Sequence, residues 1–283
     1  GGLAASNLEM LLGFIEAKQV LAIGPGLGIE SATVELVRNI VGTCEVPLVL
    51  DADGLNAFAG DLDSLAAGPA TKVLTPHPGE LARLMGTTTD EIQSDRVACA
   101  RLAAERAASI VVLKGAQSVV AHPQAGVFVN PTGNPGMATG GSGDVLTGLV
   151  AGLISQGYDP LIAACLGVYI HGSAGDLAAQ GLGEVVVADL GIPIELIEGA
   201  AGDLHLLTAE ALAERLRPRS IEGHKGDYGH AVILAGSTGK SGAAILGARA
   251  AIRAGAGLVT VATSSTIVQA VDLGSIESMT LPL

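Results

Sequence analysis

Short apolar runs alternate along this chain with longer stretches in which apolar residues recur every three or four positions. The short runs predict strands, and the longer stretches predict helices with one buried face. This alternation is typical of an α/β protein in which helices cover both faces of a mostly parallel sheet. The predicted strands are residues 19–23, 46–50, 72–74, 110–113, 119–121, 127–129, 185–193, 229–235 and 258–262. The predicted helices are residues 31–41, 78–85, 90–107, 144–156, 160–178 and 241–254.

Glycine, proline and polar residues directly follow four of the predicted strands. In an open α/β sheet, ligands bind at the carboxyl ends of the strands. One such loop is weak evidence, because Gly-Pro-Gly is usually a plain turn and a lysine after a strand is usually a solvated charge. Four of them on one sheet edge predict a binding site. The loops are residues 24–28 (Gly-Pro-Gly-Leu-Gly), 51–56 (Asp-Ala-Asp-Gly-Leu-Asn), 75–80 (Thr-Pro-His-Pro-Gly-Glu) and the pair Lys114-Gly115.

The densest group of glycines, residues 134–144 (Asn-Pro-Gly-Met-Ala-Thr-Gly-Gly-Ser-Gly-Asp), directly precedes a predicted helix. Gly140, Gly141 and Gly143 can adopt backbone conformations that other residues rarely take, so consecutive N–H groups can face one phosphate. The helix N-terminus adds partial positive charge. Asp144 would then lie at the edge of an anion hole, where a carboxylate can act as a base. The alternative is a glycine-rich turn in which an aspartate caps the helix.

Composition narrows the possible partners. Of the 283 residues, 49% are hydrophobic and 2% aromatic, so ligand binding cannot rest mainly on ring stacking. The net charge of −13 disfavours nucleic acid and anionic membrane surfaces as partners. Three widely spaced cysteines fit reduced thiols better than disulfides or zinc ligands. No apolar run looks long enough to span a bilayer, so we expect a cytoplasmic protein.

Taken together, the motifs resemble those of the ribokinase-like ADP/ATP-dependent NAD(P)H-hydrate dehydratases, a family of nicotinamide-nucleotide repair enzymes. The Gly-Gly-Ser-Gly-Asp element alone would identify only the wider kinase superfamily. The resemblance implies a ribokinase-like α/β fold with a central, mostly parallel sheet. Besides the five loops above, it rests on His224-Lys225-Gly226 with Gly229-His230, on Gly236-Ser237 with residues 241–244 (Ser-Gly-Ala-Ala), and on residues 253–258 (Arg-Ala-Gly-Ala-Gly-Leu).

The order of these motifs differs from that of the family, where the His-Lys-Gly and Gly-Ser motifs come first. Here they follow all the others. We therefore predict a single ribokinase-like domain, residues 1–283, in circularly permuted order. Residues 1–184 would be the carboxy-terminal portion of the family domain and residues 223–283 its amino-terminal portion. Residues 185–222 would be a linker that resembles the end of the neighbouring epimerase domain, and no epimerase activity is expected.

The resemblance implies dehydration of hydrated NADH or NADPH, in the (6S) form, to the reduced cofactor. A nucleotide phosphorylates the hydroxyl of the hydrated ring and phosphate then leaves, so that ADP becomes AMP or ATP becomes ADP. Asp144 is implied as the catalytic base for that hydroxyl. The implied substrate-binding residues are Gly26, His77, Asp144 and Ala243. The implied nucleotide- and phosphate-binding residues are Lys114, Gly115, Ala116, Gln117, Ser118, Gly141, Ser142 and Gly143.

Magnesium is expected as a cofactor, and Asn56 and Glu80 could hold it through water. Family precedent implies a homo-oligomer. His171 is predicted to be structural, since it shares no helix face with Asp176. Two other functions stay open. One is a small-alcohol or vitamin-precursor kinase of the same superfamily, which would not be expected to carry the 24–28 and 75–80 motifs together. The other is a non-catalytic nucleotide-binding protein, which the intact Asp144 loop and Lys114 disfavour.

Overall fold

The computed structural model describes residues 7–180, 203–219 and 223–283. These residues form one ten-stranded sheet between two layers of helices. The strands are β1 (Val20–Ile23), β2 (Leu48–Leu50), β3 (Lys72–Leu74), β4 (Ile110–Leu113), β5 (Val119–His122), β6 (Gly126–Val129), β7 (Leu204–Leu206), β8 (His230–Leu234), β9 (Leu258–Thr263) and β10 (Met279–Pro282). The helices are α1 (Leu8–Ile15), α2 (Ser31–Thr43), α3 (Ala52–Asn56), α4 (Pro78–Met85), α5 (Thr89–Ser94), α6 (Arg96–Ala107), α7 (Ser142–Ser155), α8 (Pro160–Gln180), α9 (Ala209–Ala213), α10 (Ser241–Ala254) and α11 (Val268–Gly274).

Neighbouring side chains along each central strand enter opposite helix layers. Leu21 and Ile23 of β1 pack on the face covered by α1 to α6, whereas Val20 and Ala22 pack on the face covered by α7 to α11. Because both faces are buried, strands β1, β2 and β4 are apolar at every position rather than alternating. Among the described strands, β5 alone runs antiparallel to its neighbours. The predicted α/β fold with a mostly parallel sheet is confirmed.

The strand order is β10-β9-β8-β1-β2-β3-β4-β5-β6-β7. Within this order, β8 and β1 are neighbours and pair in parallel, with Val20 opposite Ala231 and Ile23 opposite Leu234. Strands β1 to β7 follow one another toward one side of the sheet, and strands β8 to β10 follow one another toward the other side. The β1–β8 pair is therefore the switch point of a doubly wound sheet, where a ligand crevice opens beyond the carboxyl ends of the strands.

Two predicted elements differ from the structure. The single helix predicted over residues 90–107 is wrong, because the backbone of Asp95 is not helical. Asp95 caps a new helix by accepting the Ala98 N–H at 2.9 Å. The segment predicted as a linker contributes β7, which pairs with β6 and extends the sheet. The strand predicted over residues 185–193 lies outside the described residues.

Helix α8 is the one described helix long and apolar enough to cross a membrane, by length and composition alone. This differs from the expectation that no segment reaches that length. Ala163, Ala164, Leu166 and Val168 of α8 are buried in the protein core beside α7. A core helix of a globular protein has the same composition, so we interpret α8 as a core helix.

Glycines allow α7 and α10 to approach closely. A Cβ atom on Gly148 would lie 2.0 Å from the Gly247 carbonyl oxygen, and one on Gly152 would lie 2.5 Å from that of Ala251. Such distances exclude any side chain at these two positions of α7. The close contact brings the first turn of α7, which carries Asp144, beside the first turns of α10.

Candidate active site

Asp51 and Lys114 form a buried ion pair at the carboxyl ends of β2 and β4. Lys114 Nζ lies 2.6 Å from Asp51 Oδ1, and Asp51 is 1% exposed. The second carboxylate oxygen of Asp51 accepts a 2.7 Å hydrogen bond from the hydroxyl of Thr147, which follows Asp144 by one turn of α7. Asp51 therefore joins the end of β4 to the N-terminal part of α7.

Glu80 and His77 lie next to this ion pair, at the start of α4. Glu80 Oε2 is 3.6 Å from Lys114 Nζ and accepts the backbone N–H of His77 at 2.8 Å. His77 Nδ1 accepts the backbone N–H groups of Gly79 and Glu80, which completes a capping box. The neutral ring therefore carries its proton on Nε2. Burial lowers the pKa of His77, so the half-exposed ring offers one neutral N–H donor at pH 7.

Asp144 occupies the first turn of α7 and faces the same group of charges. Burial raises the pKa of Asp144 to about 6; the Asp51 carboxylate adds to the increase and the Lys114 ammonium opposes it. For Lys114, burial by itself lowers the pKa, but Asp51, Glu80 and Asp144 outweigh it and the pKa is raised. Lys114 is thus charged, while Asp144 is ionised at neutral pH and still able to take up a proton. A carboxylate with a pKa near the working pH suits a general base.

The glycine-rich loop before α7 supplies backbone donors beside Asp144. Gly141, with φ +92°, is the N-cap of α7 and takes the left-handed conformation, whereas Gly140 and Gly143 have negative φ. A Cβ atom on Gly143 would lie 3.2 Å from Lys114 Nζ, so this glycine leaves room above the lysine. The Ser142 N–H donates to Thr139 at 3.3 Å. Within the described part of the chain, the Gly143 N–H has no protein acceptor, as expected of a first-turn amide that can bind an anion.

Asp176 fixes the start of this loop from α8. Its two carboxylate oxygens accept the Gly133 N–H at 2.9 Å and the Asn134 side-chain amide at 3.0 Å. On the same helix, His171 Nε2 lies 3.4 Å from the Ser142 hydroxyl. Burial lowers the pKa of His171. These contacts support the predicted structural role of His171 and give Asp176 a role in holding the loop.

Gly26 and Ala243, which the sequence places far apart, meet at the switch point between β1 and β8. A Cβ atom on Gly26 would lie 3.2 Å from the Ala243 Cβ and 3.0 Å from the Lys240 Cβ. The Ser237 hydroxyl donates to the Gly26 carbonyl oxygen at 2.7 Å. The loop after β1 therefore docks on the loop after β8, and small residues line the crevice between them.

Residues 115–117 form an exposed loop between β4 and β5. Gly115 has φ +137° and Gln117 has φ +54°, and the Ser118 hydroxyl donates to the Gly115 carbonyl oxygen. Arg96 of α6 supports the loop from below, because its guanidinium donates to the carbonyl oxygens of Leu113 and Lys114, each at 3.2 Å. Of the predicted nucleotide-binding stretch, the structure thus places Lys114 in the buried charge cluster and the rest at its rim.

The two predicted magnesium ligands are engaged with protein groups. Asn56 Oδ1 accepts from Arg83 and its amide donates to Asp53, each at 3.2 Å. Glu80 binds the His77 N–H and faces Lys114. Among the described residues, no group of three His, Cys, Asp or Glu side chains could hold a metal ion. This donor set fits a magnesium ion held mainly by phosphate and water, rather than one in an all-protein cage.

A cavity of about 380 Å³ lies beside the glycine-rich loop, on the side of α8 and α10. Most of its wall is apolar, and the backbone of residues 139–142 and His171 supply its polar edge. If the phosphate of a ligand bound at the loop, the rest of that ligand could lie along this apolar wall. The lining residues are Met137, Thr139, Gly140, Gly141, Ser142, Val145, His171, Ala174, Gly175, Ala178 and Leu246.

The predicted site residues converge on one edge of the sheet, but three residues central to its geometry were not among them: Asp51, Thr147 and Arg96. Asp51 carried a signal, because it is the first residue after an apolar strand. Thr147 and Arg96 carried none, because each lies in a helix among residues of ordinary helical pattern. Their roles depend on long-range packing.

Comparison with known proteins places this chain in a family. Residues 4–191 and 231–283 match the family model described as NAD(P)H-hydrate dehydratase. A bifunctional NAD(P)H-hydrate repair enzyme from Moorella thermoacetica is 52% identical over 184 residues, which are 65% of this chain and 35% of that protein. An ADP-dependent (S)-NAD(P)H-hydrate dehydratase from Neisseria meningitidis is 43% identical over 164 residues, 57% of this chain and 55% of that protein.

Solved structures agree with this assignment. The ADP/ATP-dependent NAD(P)H-hydrate dehydratase from Bacillus subtilis, co-crystallized with ATP/Mg2+, superposes with a TM-score of 0.52 at 33% identity, over 60% of this chain and 59% of that one. A ribokinase-like protein from Enterococcus faecalis superposes with a TM-score of 0.55 at 24% identity, over 76% and 69% of the two chains, and supports the fold alone. This chain spans about a third of the length of its bifunctional relatives. It belongs to the NAD(P)H-hydrate dehydratase family.

Proposed function

We propose that this chain dehydrates hydrated NADH and NADPH, in the (6S) form, with ADP or ATP as phosphoryl donor. One observation carries the proposal: Asp144, with its raised pKa, lies beside the buried Asp51–Lys114 pair and the free Gly143 N–H at the start of α7. A base, a cation and an amide donor at a helix N-terminus are the groups that phosphoryl transfer to a hydroxyl requires. The named activities of the Moorella and Neisseria relatives support the same reaction.

In the proposed mechanism, the hydroxyl oxygen of the hydrated ring attacks the terminal phosphorus of the nucleotide. Asp144 accepts the proton of that hydroxyl as the attack proceeds. The new O–P bond forms while the bridging P–O bond breaks, and AMP or ADP leaves. The Gly143 N–H and the Lys114 ammonium stabilise the negative charge of the transferring group. Phosphate then departs with the electrons of the ring C–O bond, and loss of a proton from the adjacent carbon restores the reduced nicotinamide.

Gly26, His77 and Ala243 are proposed to bind the hydrated dinucleotide in the crevice at the switch point. The small residues allow the ligand to approach closely, and the His77 Nε2–H, 3.5 Å from Glu80 Oε1, is a neutral donor beside the Asp51–Lys114 pair. Residues 114–118 and 141–143 are proposed to bind the nucleotide and its phosphates. Magnesium, when bound, would neutralise phosphate charge, and Asn56 and Glu80, which also contact protein groups, are proposed to hold it through water.

We further propose that residues 223–283 take the place of the first βαβ unit of the family domain. Counting β8, β9 and β10 before β1 turns the strand order into 3-2-1-4-5-6-7-8-9-10, which begins as a classical doubly wound sheet does. The docking of Ser237 and Ala243 against the Gly26 loop supports the same placement. The domain boundaries at residues 184 and 223 follow from this proposal.

A homo-oligomer in the cytoplasm is proposed on family precedent. Edge strand β10 supports self-association, because Leu273 and Ile276 beside it are 83% and 87% exposed and Met279 within it is 45% exposed. Exposed apolar residues next to an open sheet edge are typical of an interface. Sedimentation of the purified protein tests this, and a monomer at all concentrations would contradict it.

The proposed activity is tested with enzymatically hydrated NADH, magnesium and either ADP or ATP. We expect the absorbance of reduced nicotinamide to return only when a nucleotide is present, with one nucleotide consumed per cofactor repaired. A folded, nucleotide-binding protein that consumes ATP only with a small alcohol would instead identify a kinase. Nucleotide binding with no turnover of either substrate would identify a non-catalytic protein.

A further inference from the structure

A second cavity, of about 330 Å³, lies at the amino-terminal ends of β3 and β4, whereas the candidate active site lies at the carboxyl ends of the strands. Its walls include Lys72 and Ile110, the first residues of β3 and β4. Asp51 and Lys114 follow the last residues of β2 and β4, so the full length of the sheet separates the two sites. The lining also includes Thr71, His122 and Gln124.

Lys72, one of the lining residues, carries a buried ammonium. The residue is 3% exposed, and its ammonium donates to the carbonyl oxygens of Ala70 at 2.9 Å and of Gly68 at 3.4 Å. Across the described ranges, no carboxylate lies within 4.0 Å of this ammonium. Buried charges in proteins are normally paired, because an unpaired one is costly to desolvate. Burial accordingly lowers the pKa of Lys72, and an anion in the cavity would favour its charged form.

The polar groups around Lys72 are suited to an anion. His122 Nδ1 accepts the backbone N–H groups of Gln124 and Ala125 at 3.1 and 3.0 Å, so the neutral ring carries its proton on Nε2. Thr71 and Gln124 also line the cavity, and their hydroxyl and amide groups are of donor types. The chain carries 28 acidic residues, yet none lines this cavity. A cation together with hydrogen-bond donors, and no carboxylate, suits a negatively charged ligand.

We propose that this cavity binds a small phosphate-bearing molecule, with the Lys72 ammonium as its central contact. A phosphate offers several oxygen acceptors to the ammonium, imidazole, hydroxyl and amide donors at once, and hydrogen bonds to a charged group are stronger than neutral ones. The site is independent of the proposed dehydratase activity, since it shares no residue with the site around Asp144.

The test is calorimetric titration of inorganic phosphate into protein saturated with ADP, which occupies the candidate active site. We expect the wild-type protein to bind one further phosphate and Lys72→Met to bind none. Thr71→Glu changes an exposed residue and adds a carboxylate to the lining of the cavity, so it should also abolish binding of an anion. Gln269→Glu adds the same charge at an exposed position on α11 and should leave binding unchanged.

Circular dichroism first establishes that each variant is folded, and Thr71→Glu carries the test if Lys72→Met unfolds. A parallel titration with acetate shows whether the cavity prefers a phosphate or a carboxylate. The proposal is overturned if the ADP-saturated wild-type protein binds no phosphate, or if binding persists in Thr71→Glu. It is also overturned if acetate binds at this site and phosphate does not.

Discussion

The Lys114 ammonium and the Asp51 carboxylate lie 2.6 Å apart in the least exposed part of the candidate active site. Asp51 also accepts the Thr147 hydroxyl, so one carboxylate fixes both the lysine and the helix that carries Asp144. The pair therefore does two things: it holds a cation near the glycine-rich loop, and it sets the position of α7 relative to the sheet.

Replacing Asp51 with Asn is expected to be strongly destabilising. The change removes the closest counter-charge of a buried ammonium, and breaking such a pair costs about 3–5 kcal/mol. Chemical denaturation measures the loss. Asp61→Asn is the matched control, because Asp61 pairs with Arg38 at 2.7 Å but both side chains are 39% exposed, and exposed pairs contribute little. Equal effects of the two substitutions would contradict the role assigned to Asp51.

The proposed activity should depend on the ionisation of Asp144. Burial raises the pKa of this carboxyl to about 6, and only the ionised form can accept a proton. We expect kcat/KM to rise with pH, reach half its plateau near pH 6, and level off above pH 7. Measurement with buffers of constant ionic strength provides the profile. A half-plateau near pH 4, the value of an unperturbed aspartate, would show that Asp144 is not the titrating base.

Replacing a glycine by alanine should have opposite effects on stability at the α7–α10 contact and on the exposed face of α1. Gly148→Ala places a methyl group against the Gly247 carbonyl and is expected to destabilise the protein by about 1–3 kcal/mol or more. Gly13→Ala, in α1, meets no atom within 4 Å and is expected to stabilise it by about 0.5–1 kcal/mol. Thermal denaturation of both variants decides the matter. A neutral Gly148→Ala would mean that the helices are further apart.

His230 predicts a loss of stability in mild acid. Burial lowers its pKa to about 4, and its Nε2 lies 2.7 Å from the Thr260 hydroxyl. The unfolded chain, with an ordinary histidine pKa, therefore binds more protons than the folded one between about pH 4 and 6.5. Folding stability should fall as pH decreases from 7 to 5, by about 1 kcal/mol after allowance for partial exposure.

The control for this prediction is His230→Gln, which cannot titrate. Its unfolding free energy should change less between pH 7 and pH 5 than that of the wild-type protein. Identical pH dependence of the two proteins would contradict the assignment to His230.

The sequence predicts the sheet and its ligand-binding edge because both follow from local pattern. Apolar runs mark the buried strands, and glycine and polar residues directly after them mark the loops at their carboxyl ends. The small strands β7 and β10 were not predicted. Leu204–Leu206 and Met279–Pro282 are short edge strands, partly exposed, and only pairing with a neighbour makes them strands.

The candidate site was predicted at the level of loops rather than contacts. The glycines of residues 140–143 were expected to use unusual backbone conformations, yet only Gly141 has positive φ. Gly143 is instead needed for space above Lys114. Likewise, Lys114 was expected to contact nucleotide, and the structure shows it first as the partner of Asp51. Such relationships join residues 63 positions apart, and no local pattern contains them.

The central claim, that Asp144 is the base for nucleotide-dependent repair, is tested most directly with Asp144→Asn. Turnover of hydrated NADH and the Kd for ADP are measured side by side for the wild-type and variant proteins. We expect the variant to keep its affinity for ADP within about threefold and to lose at least about 100-fold in kcat, the scale of general-base catalysis. Unchanged kcat in the variant would contradict the account.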